Sequence, residues 1–165
     1  MRADNITIER IKLLHPKLRE EVTEMYDQIC EALTGKSICR FAYTLRTDKE
    51  QDALYALGRT VKGKKVTNAK GGQSFHNFGL AFDIVLLIDT DGNGTFETAS
   101  WETLKDFDGD KVADWMEIVS IAKSFGWEWG GDFKSFKDQP HFQKTFGKTT
   151  AQLRDLRGKN TYPNL

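Results

Sequence analysis

Features that would place this chain in a specialised class are scarce in its sequence. The two cysteines, Cys30 and Cys39, are too few for a disulfide scaffold and lack the spacing of zinc ligands. We therefore expect free thiols, although a single bridge between them stays open. The longest apolar run, residues 80–88, contains Asp83 and is far too short to cross a bilayer. No membrane insertion is expected.

An excess of charge of one sign is also missing. The 24 Lys and Arg residues balance 24 Asp and Glu residues, so the formal net charge is zero. A neutral chain offers no general electrostatic attraction to nucleic acid. The first twelve residues contain no apolar stretch typical of a signal peptide. The sequence thus predicts either a protein released by another route or one whose signal has been removed.

The pattern of apolar residues predicts an α+β fold. At 165 residues the chain has the length of one domain, and we interpret residues 1–165 as a single domain with an acidic insertion at about 89–110. Helices and strands do not alternate as βαβ units would, which favours a central antiparallel sheet flanked by helices. Periodicity, capping residues and β-forming residues predict helices at 16–33, 47–57, 112–125 and 149–156, and strands at 37–44, 80–88, 127–131 and 141–144.

Two of the three histidines have neighbours that suggest metal chemistry. His76 ends a glycine-rich loop and is followed by Asp83 in a predicted strand, whereas His141 is preceded by Asp138. Two imidazoles and a carboxylate would form a catalytic zinc site with one open position, and Asp138 would be free to act as general base. Each half taken alone is equally typical of a hydrogen-bonded loop or core residue. An unpaired aspartate inside an apolar strand is costly, however, and a metal would explain it.

Three ordered motifs carry a resemblance to a known family. They are Ser-x-His-x-x-Gly-x-Ala-x-Asp at 74–83, Trp-Gly-Gly-Asp at 129–132 and Asp-x-x-His at 138–141. The chain resembles the zinc D-Ala-D-Ala carboxypeptidases and L-alanyl-D-glutamate endopeptidases that cut bacterial cell-wall peptides, including phage endolysins. The similarity is greater to the L-alanyl-D-glutamate group and covers most of the chain. It implies a hedgehog/D-Ala-D-Ala peptidase-like fold.

The resemblance also implies roles for individual residues. His76, Asp83 and His141 would bind zinc, Asp138 would be the catalytic base, and Arg46 would bind a carbonyl or carboxylate of the substrate. The candidate substrate-binding residues are Ser74, Gln51 and Trp129.

The acidic insertion contains two incomplete calcium-binding patterns. In the first run the candidate ligands are Asp89, Asp91, Asn93 and Glu97, but a serine stands at position twelve, where a bidentate glutamate is expected. The second run, 106–117, ends in a suitable glutamate but has lysine where a glycine is expected. A solvated turn rich in Asp, Asn and Gly is the alternative for both runs.

These observations predict a zinc peptidase that cleaves the L-Ala–D-Glu bond of peptidoglycan stem peptides. We expect it to work as a monomer at the cell wall, either as a phage-type enzyme released through a membrane hole or as a secreted enzyme. A D-Ala-D-Ala carboxypeptidase or dipeptidase is an alternative. A zinc-containing module that binds the wall without catalysis is another, and the presence of both Asp138 and Arg46 argues against it. A calcium-binding module with incidental histidines is the third.

Overall fold

The computed structural model describes residues 3–165, which form helices around one antiparallel sheet. The helices are α1 (Asn5–Ile11), α2 (Arg19–Ala32), α3 (Asp48–Ala56), α4 (Asp114–Ser124) and α5 (Thr150–Arg157). The strands are β1 (Ser37–Tyr43), β2 (Ala81–Ile88), β3 (Thr98–Ser100), β4 (Glu128–Trp129) and β5 (His141–Gln143). Short 3₁₀ turns occur at Pro16–Leu18, Phe75–Phe78 and Gly130–Asp132.

Strand β2 is the centre of the sheet. The strand order is β1-β2-β5-β4, and all of these neighbours are antiparallel. Strands β5 and β3 pair with successive stretches of β2, at Ala81–Asp83 and Leu86–Ile88. This register places Asp83 directly opposite His141.

Stacked aromatic rings join β1, β2 and β5 on the core face of the sheet. The ring centroids of Phe41 and Phe82 are 4.3 Å apart, those of Phe82 and Phe142 are 5.0 Å apart, and all three residues are fully buried. Such cross-strand aromatic pairs stabilise a sheet and fix its register. Because successive side chains of a strand alternate between faces, Asp83 and His141 project from the opposite face. Packing of the core therefore sets the positions of two candidate ligands.

Helices α2 and α4 pack together and complete the core. Helix α2 buries Val22, Met25, Tyr26 and Ile29, whose spacing forms one apolar stripe. The Tyr26 hydroxyl donates to the backbone carbonyl of Cys39 at 2.9 Å, which connects this helix to β1.

The structure confirms the predicted α+β class and the adjacent positions of β2 and β5. Cys30 and Cys39 are both free, as predicted. Helix α1 was not predicted, because seven residues give little periodicity; its start is fixed by Asp4, whose carboxylate accepts from the Thr7 amide at 3.1 Å. No helix within residues 3–165 is both long and apolar enough to cross a membrane.

Candidate active site

His76, Asp83 and His141 meet on one face of the sheet. Asp83 Oδ1 lies 3.1 Å from His76 Nε2 and 3.1 Å from His141 Nδ1. The three potential ligand atoms lie within 4.8 Å of one another. His76 comes from the Phe75–Phe78 turn just before β2, whereas the other two residues come from paired strands. Two imidazole nitrogens and a carboxylate oxygen form a donor set that suits zinc.

The second nitrogen of each imidazole has its own fixed partner. His76 Nδ1 lies 2.7 Å from the backbone oxygen of Thr44, and His141 Nε2 lies 2.8 Å from Oε1 of Gln143. The amide nitrogen of Gln143 in turn donates to Glu128 at 3.1 Å, which orients its oxygen towards His141. Such contacts fix the tautomer and ring orientation of metal-binding histidines. They leave His76 Nε2 and His141 Nδ1 directed at the site.

The three residues are also coupled electrostatically. Burial disfavours the charged form of Asp83, but the charge and hydrogen bonds of His76 and His141 outweigh it and hold the pKa of this carboxyl well below its usual range. Burial likewise opposes protonation of His141, yet its hydrogen bond to Asp83 raises the imidazole pKa overall. The site therefore favours the ionised form of the Asp83 carboxyl.

Asp138 is brought to the edge of this cluster by a tight loop. Its backbone oxygen accepts from the His141 amide at 3.1 Å, and its amide donates to the Gly130 oxygen at 3.0 Å. A Cβ atom on Gly130 would stand only 2.1 Å from the Asp138 oxygen, so the close approach requires glycine. Desolvation, followed by the charge of Asp83, raises the pKa of the Asp138 carboxyl above its ordinary value. A raised pKa makes this carboxylate a better proton acceptor.

Arg46 lines the same cleft and is held by two neighbours. Its Nη1 donates to Oε1 of Gln51 at 3.0 Å, and its guanidinium lies 5.0 Å from the centroid of the Tyr43 ring. Its Nε is buried and has no hydrogen-bond partner among residues 3–165. A buried donor without a partner costs free energy, which a substrate oxygen would recover.

Gln51, a candidate for direct substrate contact, is hydrogen-bonded to Arg46 but is not among the residues that line the central cavity. It is fully buried, and its amide nitrogen donates to the Ala69 oxygen at 2.9 Å. The side chain thus joins Arg46 to the loop at 67–69.

The other two substrate-binding candidates occupy different surroundings. Ser74 lines the cleft, and its hydroxyl accepts from the His76 amide at 3.3 Å, so it also caps the turn that carries His76. Trp129 is 9% exposed, and its Nε1 donates to the Gln139 oxygen at 2.6 Å. This hydrogen bond therefore holds the loop that carries Asp138.

Two supporting groups were not identified from the sequence. The Thr44 carbonyl has no sequence signal, because any residue supplies a backbone oxygen. Gln143 did have one: it follows His141 by two residues, so both side chains lie on the same face of a strand.

Two further cavities adjoin the one that contains the metal-ligand cluster. The central cavity has a volume of about 370 Å³, and its lining includes His76, Asp83, His141, Arg46 and Asp138. On the Asp138 side it continues into a cavity of about 850 Å³, with Val66 and Thr67 lining both. On the Arg46 side it continues into a cavity of about 540 Å³. Each outer cavity thus shares lining residues with the central one, whereas the two outer cavities share none with each other.

The two runs of the acidic segment arrange their carboxylates differently. In the first run, Asp89 accepts from the backbone amides of Gly92, Asn93 and Gly94 at 2.8–3.2 Å, which orders the turn. Within residues 3–165, its carboxylates do not converge as a group of three.

The second run does form such groups. Ligand oxygens of Asp108, Asp110 and Glu117 lie within 4.8 Å of one another, as do those of Asp106, Asp108 and Asp114. Burial, followed by the nearby Asp110 and Asp108, raises the pKa of Glu117 to about 7. Lys111 has φ +79°, so it adopts the left-handed conformation for which a glycine was expected.

Comparisons with known proteins agree with the motifs. A family model described as D-alanyl-D-alanine carboxypeptidase matches residues 67–144, a stretch that includes His76, Asp83, Asp138 and His141. The peptidoglycan L-alanyl-D-glutamate endopeptidase CwlK of Bacillus subtilis is 42% identical over 131 residues, which are 79% of this chain and 72% of CwlK. The L-alanyl-D-glutamate peptidase of Listeria phage A118 is 32% identical over 108 residues, 58% of this chain and 34% of the phage protein.

A solved structure supports the fold. The crystal structure of the L-Ala D-Glu endopeptidase ChiX of Serratia marcescens superposes with a TM-score of 0.56 and 23% sequence identity, covering 88% of this chain and 91% of that chain. The likeness to CwlK over most of both chains and the family match across the histidine–aspartate cluster lead to one conclusion: this chain belongs to the D-alanyl-D-alanine carboxypeptidase and L-alanyl-D-glutamate endopeptidase family of peptidases.

Proposed function

We propose that this chain is a zinc-dependent endopeptidase that hydrolyses the L-Ala–D-Glu bond of peptidoglycan stem peptides. The single observation that carries the proposal is the convergence of His76, Asp83 and His141 in an open cleft that Asp138 and Arg46 also line. The names of CwlK and the phage relative favour this bond over others. The enzyme would act at the cell wall, where its substrate is found.

The chain's own residues have complementary parts in the reaction. Zinc held by the two histidines and Asp83 would supply a Lewis acid that activates water near neutral pH. Asp138 accepts the proton of the attacking water and returns it to the leaving amine. Arg46 donates a hydrogen bond to the scissile carbonyl oxygen as negative charge develops there.

The shape of the cleft favours an endopeptidase over a carboxypeptidase. An enzyme that removes a terminal residue needs room for a long chain on only one side of the metal. Here two cavities of about 850 Å³ and 540 Å³ adjoin the central one, and they have no lining residue in common. A substrate therefore has room to continue in both directions from the scissile bond.

Digestion of purified peptidoglycan by the zinc-loaded protein tests the proposal. Mass spectrometry should find fragments with a new amino terminus at D-Glu. Release of terminal D-Ala alone would identify a carboxypeptidase instead. Binding to several wall types without any cleavage would favour a non-catalytic module.

We also propose that the acidic segment binds calcium, at its second run. Besides the converging carboxylates, one oxygen supports this: Oε2 of Glu117 is buried and has no hydrogen-bond partner among residues 3–165. Carboxylates of Asp106, Asp108, Asp110 and Glu117 occupy positions one, three, five and twelve of a calcium loop.

Calcium should therefore raise the melting temperature of the zinc-loaded protein. At one hundred times its dissociation constant, a ligand stabilises the folded state by about 2.7 kcal/mol. We expect Asp108→Ala to lose this calcium-dependent shift. Asp91→Ala, a change in the first run, is the matched control and should keep it. Equal shifts in all three proteins would contradict the assignment to the second run.

A further inference from the structure

We infer that Lys65 and Lys137, at the Asp138 end of the cleft, bind the free carboxylate of the glutamyl residue on the leaving side of the scissile bond. The inference rests on the proposed cleavage of the L-Ala–D-Glu bond and goes beyond it, because it fixes the direction of the substrate and names residues that determine specificity. Both lysines line the cavity of about 850 Å³ that adjoins the metal-ligand cluster.

The direction follows from the positions of the two catalytic side chains. Hydrolysis separates the alanyl carbonyl from the glutamyl nitrogen, and the nitrogen must be protonated as it leaves. Asp138 supplies that proton and lines both the central cavity and the larger one. Arg46, which donates to the carbonyl oxygen, lines both the central cavity and the cavity of about 540 Å³. The glutamyl half therefore lies in the larger cavity, which Asp138 lines, and the alanyl half in the cavity of about 540 Å³, which Arg46 lines.

The charges of the two ends agree with this direction. A glutamyl residue uses one carboxyl group to continue the peptide and leaves the other as a free carboxylate. Beyond Asp138 itself, the charged residues that line the larger cavity are Lys65 and Lys137, and both are cations. In the cavity of about 540 Å³, the charged residue besides Arg46 is Glu50, which would repel a carboxylate. Charge-assisted hydrogen bonds to an ammonium are about twice as strong as neutral ones.

The apolar parts of the cleft fit the same orientation. The apolar residues of the cavity of about 540 Å³ suit the alanyl methyl group and its neighbour; they include Tyr43, Leu54, Leu57 and Val61. Tyr43 is 54% exposed and Val61 is 52% exposed. Exposed apolar side chains that border a cleft indicate a binding surface.

Two synthetic substrates test the inference: N-acetylmuramoyl-L-Ala-D-Glu-L-Lys, and the same peptide with the free glutamyl carboxylate converted to an amide. We expect the wild type to cleave the acid with a kcat/KM roughly tenfold above that for the amide, the size of one charge-assisted hydrogen bond. In Lys65→Gln/Lys137→Gln the ratio should fall to about one, because the variant no longer has a cation that distinguishes the acid from the amide. Lys64→Gln/Lys134→Gln removes two lysines of the same segments that do not line the cavity, and it should keep the wild-type ratio.

The outcomes separate this inference from the proposed function. Cleavage of the amide at the L-Ala–D-Glu bond supports the proposed function whatever the ratio is. A ratio that survives in Lys65→Gln/Lys137→Gln, or one that is near unity in the wild type, would overturn the assignment of the lysines. A ratio lost in Arg46→Lys but kept in the lysine variant would show that the substrate runs in the opposite direction. Failure of the wild type to cleave either peptide would overturn both.

Discussion

Replacing His141 with alanine is expected to abolish zinc retention and peptidoglycan cleavage together. The substitution leaves one imidazole and one carboxylate where three ligand atoms now lie within 4.8 Å of one another. Loss of the metal removes several kcal/mol of stabilisation of the transition state, so activity should fall at least about a thousandfold. Zinc content measured by atomic absorption, alongside release of peptide fragments, checks both parts of the prediction.

A chelated wild-type sample provides the control for this variant. It should lose activity and recover it when zinc is added, whereas His141→Ala should stay inactive at any zinc concentration. Circular dichroism of the two metal-free proteins should agree, since His141 belongs to a sheet whose core face is held by stacked phenylalanine rings. A variant that is folded, lacks zinc and still cleaves at the wild-type rate would disprove the metal assignment.

The second large effect is expected from Asp138→Asn. The amide has nearly the same shape as the carboxylate but cannot accept the proton of the attacking water. Removal of a general base typically reduces turnover by roughly 10²- to 10⁴-fold. Because Asp138 is not a member of the ligand cluster, zinc content and melting temperature should stay close to those of the wild type. The measurement is kcat on a defined stem peptide, with zinc content determined on the same sample.

Asp132→Asn is the matched control for that change. Asp132 lies in the same loop region, but its carboxylate pairs with Lys123 on α4 at 2.5 Å and does not line the cleft. Its replacement should leave kcat within about twofold of wild type, since an exposed ion pair contributes little. Full activity in Asp138→Asn, or an equal loss in both variants, would remove Asp138 from the mechanism.

Local sequence was sufficient to predict the strands that carry the ligands. Asp83 interrupts an apolar run, and His141 begins the short predicted strand 141–144. Because successive residues of a strand face opposite sides, each of them is separated from the phenylalanine beside it. Their direct pairing across β2 and β5 required the register, which depends on contacts between distant segments. The chemistry of two imidazoles and a carboxylate suggested that His76 would join them, and the family resemblance implied the same ligand set.

Features that depend on tertiary packing were beyond the sequence. Gln51 has the spacing of an exposed helical residue, but the loop at 67–69 covers α3 and buries it beneath Arg46. Lys65 and Lys137 are seventy-two positions apart and meet at one cavity only because both loops fold towards Asp138. In the acidic segment, the glycine expected at position six of a calcium loop is present only in the first run. The carboxylates nevertheless converge in the second run, and no sequence pattern reports such convergence.

The central claim is tested most directly by one substrate that contains both bonds on which this family acts. A synthetic muramoyl pentapeptide ending in D-Ala-D-Ala should be incubated with the zinc-loaded enzyme, and the first product should be identified by mass spectrometry. The account predicts N-acetylmuramoyl-L-Ala and a tetrapeptide that begins with D-Glu, both absent with His141→Ala. Release of D-Ala as the first product, with the L-Ala–D-Glu bond intact, would contradict it.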